Sequence, residues 1–166
     1  MTQFAFLSPE FPALLDAAKR AEAMARKVAR AMGQNEAFSR ILIDEALKSS
    51  SWDLLDPHQV RFEQRVKGDR ADYVLMDRLG RARCVLEAKK RDSDPYEAKE
   101  QARGYAENLN APFVMLSNGE EHWFWNLEQG DEKDAYRIER LPSPDDLERM
   151  RLRNMQPPRP LRTELV

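Results

Sequence analysis

The spacing of apolar residues changes along the chain and divides it into helical and extended segments. In residues 8–33 and 35–49 the apolar side chains recur at helical spacing, with Ser8 and Asn35 as candidate N-caps and Gly33 as a candidate stop. We therefore predict two consecutive helices. The first has a narrow, alanine-rich apolar stripe, so we expect it to pack on another surface rather than form the centre of the core.

From residue 59 onward the apolar positions alternate, which is typical of strands. The runs "QVRFEQRV", "ADYVLMD" and "RCVLEAK" are separated by short turn sequences and predict an antiparallel meander. A helix follows in "DPYEAKEQARGYAENLN", with Asp94 as its N-cap. The strands "PFVMLSNG" and "EHWFWNL" then meet at a hairpin turn, Asn118-Gly119, and "AYRIERL" indicates one more strand. This order predicts an α/β fold, an α+β sandwich in which helices flank a mixed sheet.

Composition agrees with this fold and argues against several classes of protein. A chain of 166 residues is long enough for one domain with a sizeable core, and its 34% charged and 42% apolar residues are typical of globular proteins. Cys84 is the single cysteine, and the two histidines are far apart, so disulfide and zinc scaffolds are not expected. Because no long apolar run or secretory signal is present, we expect a cytoplasmic protein with no membrane partner.

Charge is distributed unevenly along the chain. The net charge is -2, but residues 61–91 carry ten basic and five acidic residues, so this segment has a net charge of +5. A negative total argues against coating nucleic acid through bulk charge. The basic residues of the segment could still neutralise phosphates, although a solvated basic face is the competing interpretation. They include Arg61, Arg65, Arg81, Arg83, Lys90 and Arg91.

A carboxylate and an ammonium interrupt the apolar strand "ARCVLEAKK". Glu87 and Lys89 are two residues apart and therefore lie on the same face of a strand. If Leu79-Gly80 forms a two-residue turn, partner positions sum to about 159 and Asp72 lies opposite Glu87, whereas a bulge at Gly80 would shift the register by one. Two facing carboxylates destabilise a strand pair unless a cation or a shared proton lies between them.

Such a group of oxygens suits Mg²⁺, which binds through carboxylates, a backbone carbonyl and several waters. The carbonyl of Ala88 is the candidate third ligand. Bound Mg²⁺ polarises a phosphodiester, and the ammonium of Lys89 can hold the attacking water and offset charge in the transition state. Asp, Glu and Lys together therefore indicate phosphodiester hydrolysis. The competing interpretation is a cross-strand salt bridge on a solvated sheet face.

The segment "RADYVLMDRLGRARCVLEAKK" resembles the PD-(D/E)xK nuclease signature, with Asp72 as its first acid and Glu87-Ala88-Lys89 as its ExK. The following "QARGY" resembles the QxxxY element of the RecB-like branch, although Gln101 and Tyr105 could also form an ordinary polar helix face. More closely, residues of about 35–140, including "SWDL" and "RADYVL", resemble the amino-terminal nuclease domain of type I restriction enzyme restriction subunits.

This resemblance implies a restriction-endonuclease-like core, ordered helix-β-β-β-helix-β-β, and a Mg²⁺-dependent deoxyribonuclease in which Mn²⁺ can substitute. It implies that Asp72, Glu87 and Lys89 are catalytic and that Asp72, Glu87 and the carbonyl of Ala88 bind the metal. Glu36 in "NEAFSRILI" matches the position of a further metal-binding acid, although the helix macrodipole alone also favours an acid in a first turn. Asp44 and Glu45 are weaker competitors for that role. Gln101 and Tyr105 would position the active-site strand or touch nucleic acid.

DNA is the substrate that the resemblance implies, with Arg61, Arg65, Lys90 and Arg91 as its expected contacts. Nothing in the chain resembles a base-reading helix or finger, so cleavage should be indifferent to local sequence. The chain contains no GxxxxGK[ST] motif, and ATP is therefore expected only for a motor domain outside this sequence. The implied partners are that motor domain of the same subunit and the modification and specificity subunits of a type I complex.

The expected organisation has three parts: a helical extension (1–33), an endonuclease-like domain (34–141) and a helix with a linker (142–166). Trp123 and Trp125 alternate with Phe124, and we expect them to lie in the core or to pack under the amino-terminal helix rather than to stack on bases. A catalytically silent nuclease-like fold that binds DNA or protein is the alternative hypothesis. The enzyme hypothesis is favoured because a binding module has no chemical need for both acids and the lysine.

Overall fold

Six strands form one sheet and occur in it in the same order as along the chain. The computed structural model of the protein describes residues 11–129 and 134–156. Its helices and strands are α1 (Phe11–Ser49), β1 (Val60–Val66), β2 (Asp69–Met76), β3 (Ala82–Ala88), α2 (Lys99–Leu109), β4 (Phe113–Ser117), β5 (His122–Asn126), β6 (Tyr136–Ile138) and α3 (Pro144–Asn154). Strands β3 and β4 are parallel and the other neighbours are antiparallel, so the sheet is mixed as predicted.

The amino-terminal helix is continuous, and the prediction of two helices separated at Gly33 is wrong. Gly33 lies inside α1, where a Cβ would meet no atom within 4 Å. An interior glycine costs a helix about 1 kcal/mol relative to alanine, and the alanine-rich turns around it can absorb that cost. Ser8, the predicted N-cap, lies outside the described residues.

Helices cover both faces of the sheet, which produces three layers and confirms the predicted fold class. On one face Ile43 and Leu47 of α1 and Leu147 of α3 join the apolar side chains of the central strands. On the other face Ala102 and Ala106 of α2 join a second apolar cluster. Because successive residues of a strand point to opposite faces, the central strands contribute to both clusters. No helix among the described residues has the length and hydrophobicity needed to cross a membrane.

The segment before α2 confirms its predicted start at Asp94. The side chain of Asp94 accepts a hydrogen bond of 2.9 Å from the backbone N–H of Tyr96. This cap begins a short 3₁₀ turn, Pro95–Ala98, which leads directly into α2. A tight first turn of this kind is common at helix ends. Residues 89–98 therefore connect β3 to α2, and the last four of them form this turn.

The connection between β2 and β3 differs in detail from the predicted two-residue turn. The backbone N–H of Asp77 donates to the carbonyl of Arg81 at 2.9 Å, which leaves a three-residue loop closed by Gly80 in the left-handed conformation (φ 73°). The register then shifts by one between Leu75 and Met76, so that Arg83 is an extra residue on β3. The extra residue in the loop and the extra residue on β3 shift the register in opposite directions, so their effects on the register cancel.

The predicted register therefore holds in the middle of the β2–β3 pair. Tyr73 lies opposite Leu86, and Leu75 lies opposite Cys84, as a partner sum of about 159 requires. Both pairs belong to the cluster on the α1 face. The neighbouring position toward the start of β2 is Asp72.

The two tryptophans of β5 belong to the core on the α2 face, which is one of the two predicted locations. Trp125 is buried in the cluster that contains the α2 side chains, and Trp123 packs against the same cluster. The ring of Trp123 lies 4.9 Å from that of Tyr96, just before α2. Phe124 faces the opposite cluster. The core is therefore the alternative that the structure supports.

Candidate active site

Two carboxylates meet at the end of the sheet where β2 begins and β3 ends. Since Tyr73 lies opposite Leu86, the next pair toward this end is Asp72 and Glu87. Both acids have limited contact with solvent: the side chain of Asp72 is 16% exposed, and Glu87 is 6% exposed. The antiparallel register, set far away at the β2–β3 loop, therefore creates this acid pair.

Both oxygens of Asp72 accept hydrogen bonds. Oδ1 accepts from Nη2 of Arg40 at 2.6 Å, and Oδ2 accepts from the backbone N–H of Ala88 at 2.8 Å. The first contact joins the sheet to α1, and the second joins the start of β2 to the end of β3. The second bond also fixes Ala88, whose carbonyl is the predicted third metal ligand.

Glu87 has an unsatisfied carboxylate oxygen. Oε2 is buried and has no hydrogen-bond partner among the described residues. Burial, together with the nearby negative charge of Asp72, raises the pKa of Glu87 to about 8, although the ammonium of Lys89 acts in the opposite direction. A buried acceptor without a partner is costly, and a positive charge or a proton would relieve that cost.

Lys89 is the first residue after β3, two positions beyond Glu87, and its side chain is half-buried. Its backbone N–H donates to the carbonyl of Ser117 at 2.8 Å, which continues the parallel contact between β3 and β4. Its ammonium makes no ion pair with any other residue in the described ranges. The backbone of Lys89 is thus held firmly while its charged group is available.

The predicted QxxxY pair lies beside the two acids. Nε2 of Gln101 donates to the hydroxyl of Tyr105 at 2.7 Å, one turn further along α2. A hydrogen bond from Tyr105 holds the pKa of Asp69 below its usual value. Burial first, and then the contact with Asp69, raises the pKa of Tyr105 to about 12, and the charge of Glu87 adds to this effect. The pair therefore connects α2 to the start of β2 and lies close enough to Glu87 for its charge to affect Tyr105.

Glu36 is separate from this group. It is exposed on α1 and makes no hydrogen bond or ion pair with another residue of the described part of the chain. Arg40, one helical turn later, is the α1 residue that touches Asp72. Of the competing acids, Asp44 accepts a hydrogen bond of 3.0 Å from the hydroxyl of Tyr73, on the α1 face of the sheet. Glu45 pairs with Lys48 on the helix surface.

The loops around the site are held by the turn between β4 and β5. Nδ2 of Asn118 donates to the backbone carbonyls of Arg91 and Ser93, at 3.2 and 3.0 Å, and so holds the segment that follows Lys89. Gly119 adopts φ 92°, and a Cβ there would lie 2.7 Å from Cβ of Leu42 on α1. This close approach fixes α1, and with it Arg40, against the sheet.

A match to a protein family covers the acid pair. The model of the Type I restriction enzyme R protein N terminus (HSDR_N) matches residues 54–142. The chain belongs to this family. The matched region contains Asp72, Glu87, Lys89, Gln101 and Tyr105, whereas α1 precedes it.

One solved structure agrees with the HSDR_N assignment. A fragment assigned to an HsdR subunit of a type I restriction enzyme from Vibrio vulnificus YJ016 is similar over 72% of this chain, with 29% identity and a TM-score of 0.58. The chain covers 26% of the length of that structure. The type IIG restriction endonuclease BpuSI matches over 55% of this chain and 11% of its own, with 16% identity and a TM-score of 0.37. No curated protein sequence matches.

The predicted DNA contacts of this HSDR_N domain have different surroundings. Arg61 and Arg65 are exposed on the edge strand β1, and Lys90 is half-buried beyond β3. Arg91 pairs with Glu120 at 2.6 Å, so it is already engaged in one ion pair. The DNA-binding role of these four residues therefore stays a prediction.

Two other basic residues of the same segment stabilise the opposite end of the sheet. Nε of Arg81 lies 2.8 Å from the carboxylate of Asp77, and Nη2 of Arg83 lies 2.9 Å from Asp77 and 3.2 Å from Glu148 of α3. Arg83 is buried, so the interpretation of this residue as a phosphate contact is wrong. A cleft of about 720 Å³ lies at this end, lined in part by Asp77, Arg83 and Glu148, and therefore away from the acid pair.

The residues at the end of the sheet fit a divalent cation only with help from solvent. The described part of the chain contains no group of three or more His, Cys, Asp or Glu side chains arranged to hold a metal. Asp72 and Glu87 supply two carboxylates. The buried oxygen of Glu87 that has no hydrogen-bond partner is available as a metal ligand. Mg²⁺ commonly keeps several waters and binds through one or two carboxylates, so this donor set is compatible with it.

Arg40, Asp69 and Asn118 are residues of this site that sequence reasoning did not find. Arg40 carries a detectable signal, because it is a charged residue in the apolar run "AFSRILI" and lies one helical turn before the buried Ile43. Asp69 and Asn118 lie in turn sequences, where Asp and Asn are common for local reasons. Only the folded arrangement distinguishes their contacts from ordinary turn chemistry.

Proposed function

We propose that this chain is the metal-dependent endonuclease domain of a type I restriction subunit and that it hydrolyses DNA phosphodiester bonds without sequence specificity of its own. Membership of the R protein family and similarity to the HsdR fragment support this proposal. The observation that carries it is the buried, unpartnered oxygen of Glu87 beside Asp72. Two neighbouring acids kept out of solvent fit a cation site, because a cation would offset both their burial and their mutual repulsion.

Asp72, Glu87 and the carbonyl of Ala88 would hold Mg²⁺, or Mn²⁺ in its place. When bound, the cation would polarise the phosphodiester and lower the pKa of a bound water. The hydrogen bond from Ala88 N–H to Asp72 orients the first carboxylate, so the two strands keep the acids at a fixed separation. Glu36 would act as a further ligand only if its exposed side chain moved toward the two acids.

Lys89 would hold the attacking water and offset the negative charge that develops on the phosphate. Its ammonium lies close enough to Glu87 to influence the pKa of that acid, and it has no competing ion pair in the described ranges. A preorganised positive charge in a partly dry site stabilises a charged transition state strongly. Gln101 and Tyr105 would position Glu87 and the end of β2 from the adjacent helix.

Partners would supply what this domain does not contain. The fragment to which the chain is similar is described as part of an HsdR subunit of a type I restriction enzyme. We therefore propose that a motor domain of the same subunit, which would use ATP, and the modification and specificity subunits deliver DNA to the site. Phosphate contacts from Arg61, Arg65, Lys90 and Arg91 would be independent of base sequence.

One observation favours a second candidate, a catalytically silent fold that binds DNA or protein. Both oxygens of Asp72 already accept hydrogen bonds, one of them from a guanidinium that partly satisfies the charge of the acid pair. In a purely structural pair, Arg40 would be the permanent counterion. Loss of cleavage on changing Lys89, which makes no ion pair in the described ranges, distinguishes the two candidates.

The direct test is cleavage of plasmid DNA by the complete complex, with ATP and Mg²⁺, using wild type and Lys89→Ala. We expect cleavage to fall by at least about 100-fold in Lys89→Ala while ATP hydrolysis by the complex is retained. Lys48→Ala is the matched control, because Lys48 is exposed at the end of α1 and, among the described residues, forms an ion pair with Glu45 alone. Equal cleavage by Lys89→Ala and wild type would favour the silent fold.

A further inference from the structure

A guanidinium lies where the acid pair meets α1. Nη2 of Arg40 is 2.6 Å from Oδ1 of Asp72, and the side chains are 31% and 16% exposed. This is a charge-assisted hydrogen bond between groups distant in sequence, so the fold must bring them together. Arg40 is therefore part of the surroundings of the acid pair, although it lies outside the region matched by the family model.

The contact uses an oxygen that a metal would need. Oδ2 of Asp72 is engaged by the backbone N–H of Ala88, a bond that depends only on the strand register. Oδ1 is the remaining oxygen, and Arg40 holds it. Mg²⁺ and Mn²⁺ bind carboxylates at short, geometrically strict distances, so a guanidinium hydrogen atom on the same oxygen hinders coordination.

The position of Arg40 is fixed by its backbone and not by other partners of its side chain. Gly119 lets α1 approach the β4–β5 turn, with the neighbouring residues Ser39 and Leu42 in contact with it. The guanidinium has no second ion pair among the described residues, and about a third of the side chain faces solvent. A rotation of the side chain can therefore move the guanidinium away from Asp72 without any movement of the helix.

We propose that Arg40 is a resident cation of the metal-free site, which neutralises Asp72 and competes with the divalent cation for its Oδ1. This inference rests on the proposed function, because it assumes that Asp72 is a metal ligand. It makes Arg40 a positioning residue that sets the metal affinity of the site. Without the guanidinium, the two acids would repel each other more strongly and bind a divalent cation more tightly.

The test is a calorimetric titration of the 166-residue chain with Mn²⁺ for wild type, Arg40→Gln and Arg40→Lys. We expect Arg40→Gln to bind Mn²⁺ about fivefold or more tightly than wild type, because one nearby positive charge is removed. Arg40→Lys keeps the charge and should stay within about twofold of wild type. Arg78→Gln is the matched control, since Arg78 pairs with Asp145 at the opposite end of the sheet.

The outcomes separate this inference from the proposed function. Equal or weaker binding by Arg40→Gln, with clear binding by wild type, overturns the inference and leaves the metal site intact. Absence of Mn²⁺ binding in both proteins overturns the metal-dependent function and this inference with it. Tighter binding by Arg40→Gln supports both, even if wild type binds too weakly to measure.

A second test uses wild type alone, so its result does not depend on whether a variant folds. The guanidinium N–H signals of Arg40, followed by NMR during titration with Mg²⁺, should shift and exchange faster with water as Nη2 leaves Asp72. The signal of Arg78 should not change. An Arg40 signal that stays constant while Mg²⁺ binds would contradict the competition.

Discussion

Glu87 combines burial with a charged neighbour, and the combination determines how it titrates. Its ordinary pKa is raised to about 8, first by burial and then by Asp72. The folded chain therefore keeps the proton of Glu87 at pH values where the unfolded chain has lost it. Between the unfolded pKa and about pH 8 this difference reduces the free energy of unfolding as pH rises, and above pH 8 the reduction is complete.

Replacing Glu87 with Gln should remove this pH-dependent loss of stability. In buffer with EDTA, the free energy of unfolding of wild type should fall between pH 5 and pH 8 by on the order of 1–3 kcal/mol more than that of Glu87→Gln. Urea unfolding at several pH values measures the difference. Glu97→Gln, at an exposed position before α2, should follow wild type. Parallel curves for wild type and Glu87→Gln would show that Glu87 is ionised in the folded chain.

At the scale of residues, the sequence predicts the acids better than their surroundings. Asp72, Glu87 and Lys89 can be read from one alternating strand pair, because period and register are local properties. The predicted turn length was wrong, yet Arg83 restores the register as an extra residue on β3. The contact from Arg40 depends on how a helix packs against a sheet, which alternation along one strand does not reveal.

At the scale of elements, the site depends on how closely α1 approaches the turn between β4 and β5. Gly119 has φ 92°, where a side chain is strained, and a Cβ there would lie 2.7 Å from Cβ of Leu42. The sequence predicts the hairpin at Asn118-Gly119 from its turn chemistry. It does not predict that the same glycine is a contact point for a helix more than 70 residues earlier.

Gly119→Ala should therefore destabilise the chain and disturb Arg40. Backbone strain and the overlap with Leu42 together should lower the free energy of unfolding by about 2–4 kcal/mol. Gly104→Ala is the matched control: it lies inside α2, where an added Cβ meets no atom within 4 Å. That change should be neutral or stabilise by up to about 1 kcal/mol. Chemical denaturation of both variants measures the difference, and similar losses would contradict the close approach of α1.

The limits of prediction for the elements have a physical cause. The strands and α2 were predicted because alternation, caps and turn residues act over a few positions. The division of α1 at Gly33 was wrong because glycine weakens a helix by only about 1 kcal/mol, which flanking helical turns can outweigh. A local signal therefore predicts where helical structure is favoured better than where it ends.

At the scale of the whole molecule, the mixed sheet brings the acids, the lysine and α2 to one end. The two antiparallel partners β2 and β3 supply the acids, and the parallel pair β3–β4 anchors the backbone of Lys89. Arg81 and Arg83 stabilise the other end through Asp77 and Glu148. The basic and acidic groups at that end are paired with each other, whereas Glu87 and Asp72 at the other end are two acids side by side.

The net charge of the molecule is -2, so its proposed reaction with DNA depends on local and not on global attraction. The chain also covers 26% of the length of the HsdR fragment that it resembles. Weak binding of DNA by the chain alone would therefore agree with delivery by partners. Metal binding is a property of the site itself and does not depend on such delivery.

The central claim is that Asp72 and Glu87 form a divalent cation site, and calorimetric titration of wild type and Asp72→Asn with Mn²⁺ tests it most directly. Asp145→Asn, an exposed acid of α3 at the opposite end, is the matched control. The account predicts one site per chain in wild type and Asp145→Asn, and binding weakened by at least about tenfold in Asp72→Asn. Equal affinity in Asp72→Asn and wild type, or no binding by either wild type or Arg40→Gln, would contradict it.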